Sequence, residues 1–171
     1  MLIVRIVESL NTRLGALAGI GTILLIFSVV PDLLARGLFG TAIYGMAETS
    51  TMLLVFVVFL ALPAAQLRKE HFYVAILDAK LPPAALRIVM LLRYVVSAIV
   101  TGIFAWYSIT SAWEATLRLE QSYAVIAFPV WPARIAVACG FTLMTLQLVI
   151  DAVRLLMGGP LPSDQPEPSA N

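Results

Sequence analysis

The stretch YVVSAIVTGIFAWYSITSAW, residues 94–113, runs for 20 residues without a charge, between Arg93 and Glu114. A bilayer core is crossed by about 20 apolar residues in helical form, because each backbone N–H and C=O must pair within its own segment. Three similar runs lie on either side. Residues 14–31 give 18 between Arg13 and Asp32, residues 49–67 give 19 between Glu48 and Arg68, and residues 135–150 give 16 between Arg134 and Asp151. The last is lengthened by Ala133 and by the largely apolar positions 152–157. The runs are solid rather than alternating, which argues against a transmembrane β-barrel. The sequence therefore predicts an all-α integral membrane protein with four transmembrane helices, at about 14–34, 44–66, 85–111 and 133–157.

Composition points the same way. Of the 171 residues, 61% are hydrophobic and only 12% charged, and the mean hydropathy is +0.96. A soluble domain usually carries about 25% charge, so the solvent for this surface is lipid. A net charge of +1 argues against a nucleic-acid partner. The lone Cys139 excludes an internal disulfide, a CxxC pair and a thiolate cluster. The lone His71 excludes bis-histidine haem ligation and a His-rich metal site within the chain. No cofactor and no metal are expected.

The N-terminal segment resembles a signal peptide, with Ala16-Leu17-Ala18 as a cleavage-like site. Arg5 and Glu8 interrupt the stretch that should be its apolar core, and the apolar run continues past Ala18, so an uncleaved first helix is expected. Leu2, Ile3, Ile6, Val7 and Leu10 share a face opposite Arg5, Glu8 and Thr12, which predicts a short amphipathic lead-in at the membrane surface. Basic residues set the orientation. One side collects Arg5, Arg13, Arg68, Lys69, Lys80, Arg87, Arg93 and Arg154; the other has only Arg36, Arg118 and Arg134. Both termini are thus expected in the cytoplasm. Trp106, Tyr107, Trp113, Tyr123 and Trp131 gather at the opposite boundary, where amphipathic rings prefer to sit. Between helices two and three, Phe72, Tyr73, Ile76 and Leu77 repeat at helical spacing among polar His71, Asp78 and Lys80. This predicts a short interfacial helix at about 72–81, closed by Pro82 and Pro83. Residues 1–157 form one transmembrane domain, and the Pro- and Gly-rich segment 158–171 is expected to be a disordered cytoplasmic tail. There is no internal repeat of the kind that builds inverted-repeat transporters.

Few residues offer chemistry. Glu48, near the outer start of the second helix, fits either an ion or proton site or a structural carboxylate paired with Arg36, Arg118 or a partner chain, or resting at the water boundary. It has no second polar cluster at its depth, which favours the structural role. His71 follows Arg68, Lys69 and Glu70 at the inner boundary and lacks companion ligands, so a surface anchor or subunit contact is expected. Arg87 and Arg93 are placed to snorkel toward lipid headgroups. Glu114 and Arg118 have i,i+4 spacing and Asp151 and Arg154 i,i+3 spacing, both suited to local ion pairs. Gly15 and Gly19 form a GxxxG match that permits close helix approach, to a neighbour or a partner subunit. Ser108, Thr110 and Ser111 have no nearby base, and neither a Gly-x-Ser-x-Gly elbow nor a Gly-rich phosphate loop occurs.

The stretch Arg68-Lys69-Glu70-His71-Phe72-Tyr73-Val74, followed by Leu81-Pro82 and Arg87, resembles the small permease subunit of tripartite ATP-independent periplasmic (TRAP) transporters, the DctQ-like family. Leu38-Phe39-Gly40 to Glu48 is similar to that family's approach to its second helix. Ser122, Pro129-Val130-Trp131 and Gly140 are similar to its last loop and fourth helix. One position departs: the family's Asp four residues after the histidine is Ala75 here, and Asp78 lies on another face. The resemblance implies a non-catalytic small subunit, with a large permease subunit and a periplasmic substrate-binding protein as partners. Sodium gradients would drive uptake of an organic acid, and this chain would be a fixed scaffold in the bacterial inner membrane. Glu48, Arg68, His71, Arg87, Gly15 and Gly19 are then structural or subunit-interface residues. The competing reading is a self-sufficient proton-coupled exporter, a homodimer acting through Glu48. A membrane enzyme or electron carrier is a distant third, given one histidine and one cysteine.

Overall fold

A computed structural model describes residues 2–68, 82–122 and 127–158. Four helices account for most of them: α1 (Leu2–Phe39), α2 (Met46–Leu67), α3 (Pro83–Leu117) and α4 (Trp131–Leu156). All four are long and apolar enough to cross a membrane. The interfacial helix expected at 72–81 and the tail expected at 159–171 lie outside the described residues.

The breaks between helices follow local chemistry. Gly40 adopts φ +68 and donates its N–H to the Arg36 carbonyl at 3.1 Å, ending α1 in the left-handed turn that glycine enters without steric cost. Pro82 is extended, at φ −63 and ψ 152, and Pro83 opens α3 where a missing N–H costs nothing. Pro132 plays the same part in α4. The expected lead-in is not a separate element. Nothing between Leu2 and Leu14 breaks a helix, and its polar residues Glu8 and Asn11 turn toward α4, so α1 is one rod of 38 residues.

The helices alternate in direction and pack as a row in the order α1, α2, α4, α3, with α1 touching α4 only slightly. The end carrying the start of α1 and the finish of α4 is termed the near end, and the opposite one the far end. The surfaces are sorted by size. Ala18, Ala64, Ala105, Ala112, Ala115, Ala133, Ala136, Ala138 and Ala152 are buried, whereas Phe27, Leu33, Ile99, Trp106 and Trp113 are exposed. Lipid tails are as apolar as leucine, so burying large apolar side chains between helices brings little. Small residues instead let the backbones approach, so that dispersion and polar contacts bind the helices. Of the described glycines, Gly140 of α4 has the tightest surroundings. A Cβ there would lie inside van der Waals contact of the Phe59 carbonyl oxygen and only 2.9 Å from its carbonyl carbon. Pro63 explains why this carbonyl is available: it has no N–H to give the residue four positions earlier, which is Phe59. Around the same level Phe141 of α4 lies between Phe59 of α2 and Phe104 of α3, at centroid distances of 5.3 and 5.4 Å.

Candidate functional site

Apolar helices carry polar side chains at a cost, so those that remain mark where the molecule is fastened or used. Among the described residues two groups stand out, one at each end, besides the Thr101–Thr145 hydroxyl pair between α3 and α4.

At the near end, three helices meet in a buried polar clasp. Asn11 of α1 and Gln147 of α4 are both fully buried, and the Asn11 Nδ2 donates to Gln147 Oε1 at 3.0 Å. The Gln147 Nε2 donates to Asp151 Oδ1, and the Nε2 of buried Gln66 of α2 donates to Asp151 Oδ2, each at 3.2 Å. One carboxylate thus gathers amide donors from two helices, and the chain of bonds reaches a third. Among the described residues Asn11 Oδ1 has no partner. Closer to the helix ends, Arg154 of α4 reaches Glu8 of α1 at 2.6 Å. Beside the clasp, Leu86 and Met90 of α3 pack on Leu155 of α4, with Tyr94 against them.

At the far end, Asp32 of α1 is buried. It accepts from Arg36 Nε at 2.8 Å and from the Ile43 backbone N–H at 2.9 Å, tying the α1–α2 turn to α1. The Ser28 and Ser50 hydroxyls meet at 3.0 Å between α1 and α2. The described residues on either side of the α3–α4 connection, 118–122 and 127–130, are tied to each other and to the helices. Leu119 sits at φ 47, a conformation uncommon for a side chain of its kind, and Glu120 donates its N–H to the Ala115 carbonyl at 2.9 Å. Ser122 N–H to Phe128 O and Val130 N–H to Glu120 O pair the two limbs at 2.7 and 2.9 Å. Arg134 of α4 bonds Glu120 at 2.7 Å and also the Ser111 hydroxyl. These groups, with Glu114, Arg118 and Gln121, line an open depression of about 990 Å³. A smaller recess of about 200 Å³ lies between the start of α2 and Ser122, lined by Ala47, Glu48, Thr51 and Met52.

The residues singled out in the sequence fall in separate places. Glu48 is half-buried in the first turn of α2, in the small recess. Arg68 is the exposed C-cap of α2, its backbone N–H shared between the Ala64 and Gln66 carbonyls. Arg87 is exposed near the start of α3. His71 lies outside the described residues. The two glycines of the GxxxG match do different things. Gly15 faces α2, where an added Cβ would stand 2.6 Å from that of Ala64, whereas Gly19 has nothing within 4 Å. Arg154, spaced to pair with Asp151, reaches across to Glu8. Asn11, Gln66 and Gln147 were not anticipated. The signal was present: three isolated amides near the same ends of apolar helices need one another for partners. Among the described residues no three His, Cys, Asp or Glu side chains stand together as a metal site requires.

Four helices long and apolar enough to cross a membrane, with small residues turned inward and polar groups joining the helices, describe a membrane-embedded helical bundle. A profile of the family described as "Tripartite ATP-independent periplasmic transporters, DctQ component" matches residues 25–158. The chain belongs to this family. As a DctQ component, it is the small permease subunit of a TRAP transporter and a multi-pass membrane protein. The match covers α2, α3, α4 and the second part of α1, residues 25–39, and so includes Gln66, Gln147 and Asp151 of the clasp but not Asn11. No curated protein matches the chain.

Proposed function

We propose that this subunit is a stationary brace for the large permease subunit of a sodium-driven TRAP transporter in the bacterial inner membrane. An organic acid, delivered by a periplasmic substrate-binding protein, is handled by the large subunit. The near end, with both termini, faces the cytoplasm; the eight-to-three division of basic residues supports this orientation. Arg87, Arg93 and the segment around His71 anchor the near end at the headgroups. The observation that carries the reading is the buried clasp of Asn11, Gln66, Gln147 and Asp151. These bonds join three helices of the chain into one unit that does not rearrange internally, as a brace requires. The test is uptake into vesicles holding the large subunit and binding protein, with and without this chain. Sodium-dependent accumulation of the organic acid should require it. Full uptake without it, or gradient-driven accumulation by this chain alone, refutes the proposal. Accumulation by this chain alone that is lost in Glu48→Gln would instead favour a homodimeric proton-coupled exporter.

A further inference from the structure

The far end carries seven charged side chains: the carboxylates Asp32, Glu48, Glu114 and Glu120, and the guanidinium groups Arg36, Arg118 and Arg134. Negative charge is in excess by one. Arg36 is committed to Asp32 and Arg134 to Glu120. Arg118 lines the large depression and not the recess that holds Glu48. Among the described residues Glu48 has no ion pair and no hydrogen bond, although it is half-buried. The positive end of the α2 dipole favours a carboxylate there, but it supplies no donor to the carboxylate oxygens. An ionised carboxylate accepts up to about four hydrogen bonds, and no described group of this chain supplies one here, so its acceptors are left to solvent or to a partner. The recess beside it measures about 200 Å³, several times the volume of about 30 Å³ per water molecule, and is lined by the small or flexible Ala47, Thr51 and Met52. Ala47 and Thr51 are exposed, and Leu54 and Val58 continue their stripe down α2, so the recess opens at the head of a helix face that, among the described residues, no other helix fully covers.

Resting on the brace reading above, we propose that Glu48 receives a lysine or arginine side chain from a membrane helix of the large permease subunit. The recess admits the cationic head, and the stripe Thr51, Leu54, Val58 takes the helix that carries it. A guanidinium or ammonium at the membrane boundary and an unspent carboxylate each supply what the other lacks.

The experiment is photo-crosslinking in the co-expressed complex, with a photoreactive residue in place of Thr51 so that Glu48 stays intact. Mass spectrometry should identify a peptide of the large subunit with a lysine or arginine within about one helical turn (3.6 residues) of the crosslink. In parallel, Glu48→Gln should lower retention of the large subunit on the tagged chain about tenfold, with thermal stability of the isolated subunit unchanged. Crosslinks only to lipid, or to a second copy of this chain, with the complex intact and Glu48→Gln retained normally, overturn the pairing and leave the brace standing. Failure of the unsubstituted chain to retain the large subunit at all overturns both.

Discussion

Gly140→Ala tests the packing logic at its tightest point. The added Cβ would sit 2.9 Å from the Phe59 carbonyl carbon and 3.0 Å from its Cβ, and closer still to the carbonyl oxygen. Two of these three atoms are backbone, so no side-chain rotation relieves the clash. α2 and α4 must move apart, and the Phe59–Phe141 edge contact at 5.3 Å moves with them. Overpacking of this kind costs about 1–3 kcal/mol, a loss of roughly 5- to 150-fold in the folded-to-unfolded ratio. Gly19→Ala is the matched control. It makes the same chemical change in a helix interior, but nothing lies within 4 Å of the new methyl, so it should be neutral or stabilise by up to about 1 kcal/mol. The assay is unfolding of the purified subunit in mixed micelles, followed by circular dichroism as denaturing detergent is raised. Gly140→Ala should unfold at lower detergent fraction than the parent, and Gly19→Ala at the same fraction or higher. Equal midpoints for the two variants would refute the close approach.

In the same assay, Gln147→Ala should cost about 1–3 kcal/mol, because it strands the Asn11 Nδ2 and takes one donor from Asp151, whereas Asn11→Ala should cost less because it also removes the unpartnered Oδ1. Arg154→Ala should cost at most about 1 kcal/mol, since both partners of the Glu8 pair reach solvent, and the exchanged pair Glu8→Arg with Arg154→Glu should recover most of it. Arg134→Ala should leave the helices intact but loosen the α3–α4 turn, read as faster amide exchange at Ser122 and Val130. Cysteine labelling from outside intact cells should modify a Cys introduced at Leu119 and spare one at Met157, if the near end is cytoplasmic.

The four helices were legible because a charge inside a span is costly, so Arg13, Asp32, Glu48, Arg68, Arg93, Glu114, Arg134 and Asp151 bracket the apolar runs. They mark the runs and not the helix ends, however. α1 extends 12 residues before position 14, from Leu2, and α3 continues beyond 111 to Leu117. A helix does not stop at the membrane boundary without a residue that breaks it. Gly40 and the Leu119 turn are the true stops. Of the clasp, charge marked only Asp151. Asn11, Gln66 and Gln147 are neutral, so a reading that counts only ionised groups passes over them, although a buried amide is nearly as demanding of a partner. The GxxxG match shows the opposite failure: spacing reveals which residues could permit contact, but which neighbour arrives is decided by the order of the row, and that placed α2 on Gly15 and nothing on Gly19.

That order constrains how the chain is made. α1 and α2 are consecutive and adjacent, so they can pair as a hairpin as soon as both are in the bilayer. α3 follows them but rests on α4, which is made after it and then lodges between α2 and α3. The third span must therefore wait in lipid, its buried Thr101 without the Thr145 hydroxyl it later meets at 3.0 Å, until the fourth arrives to join the two halves. A nascent chain stalled before residue 131 would hold a finished pair and an orphan, and quality control that removes unassembled subunits would find its mark in that waiting helix.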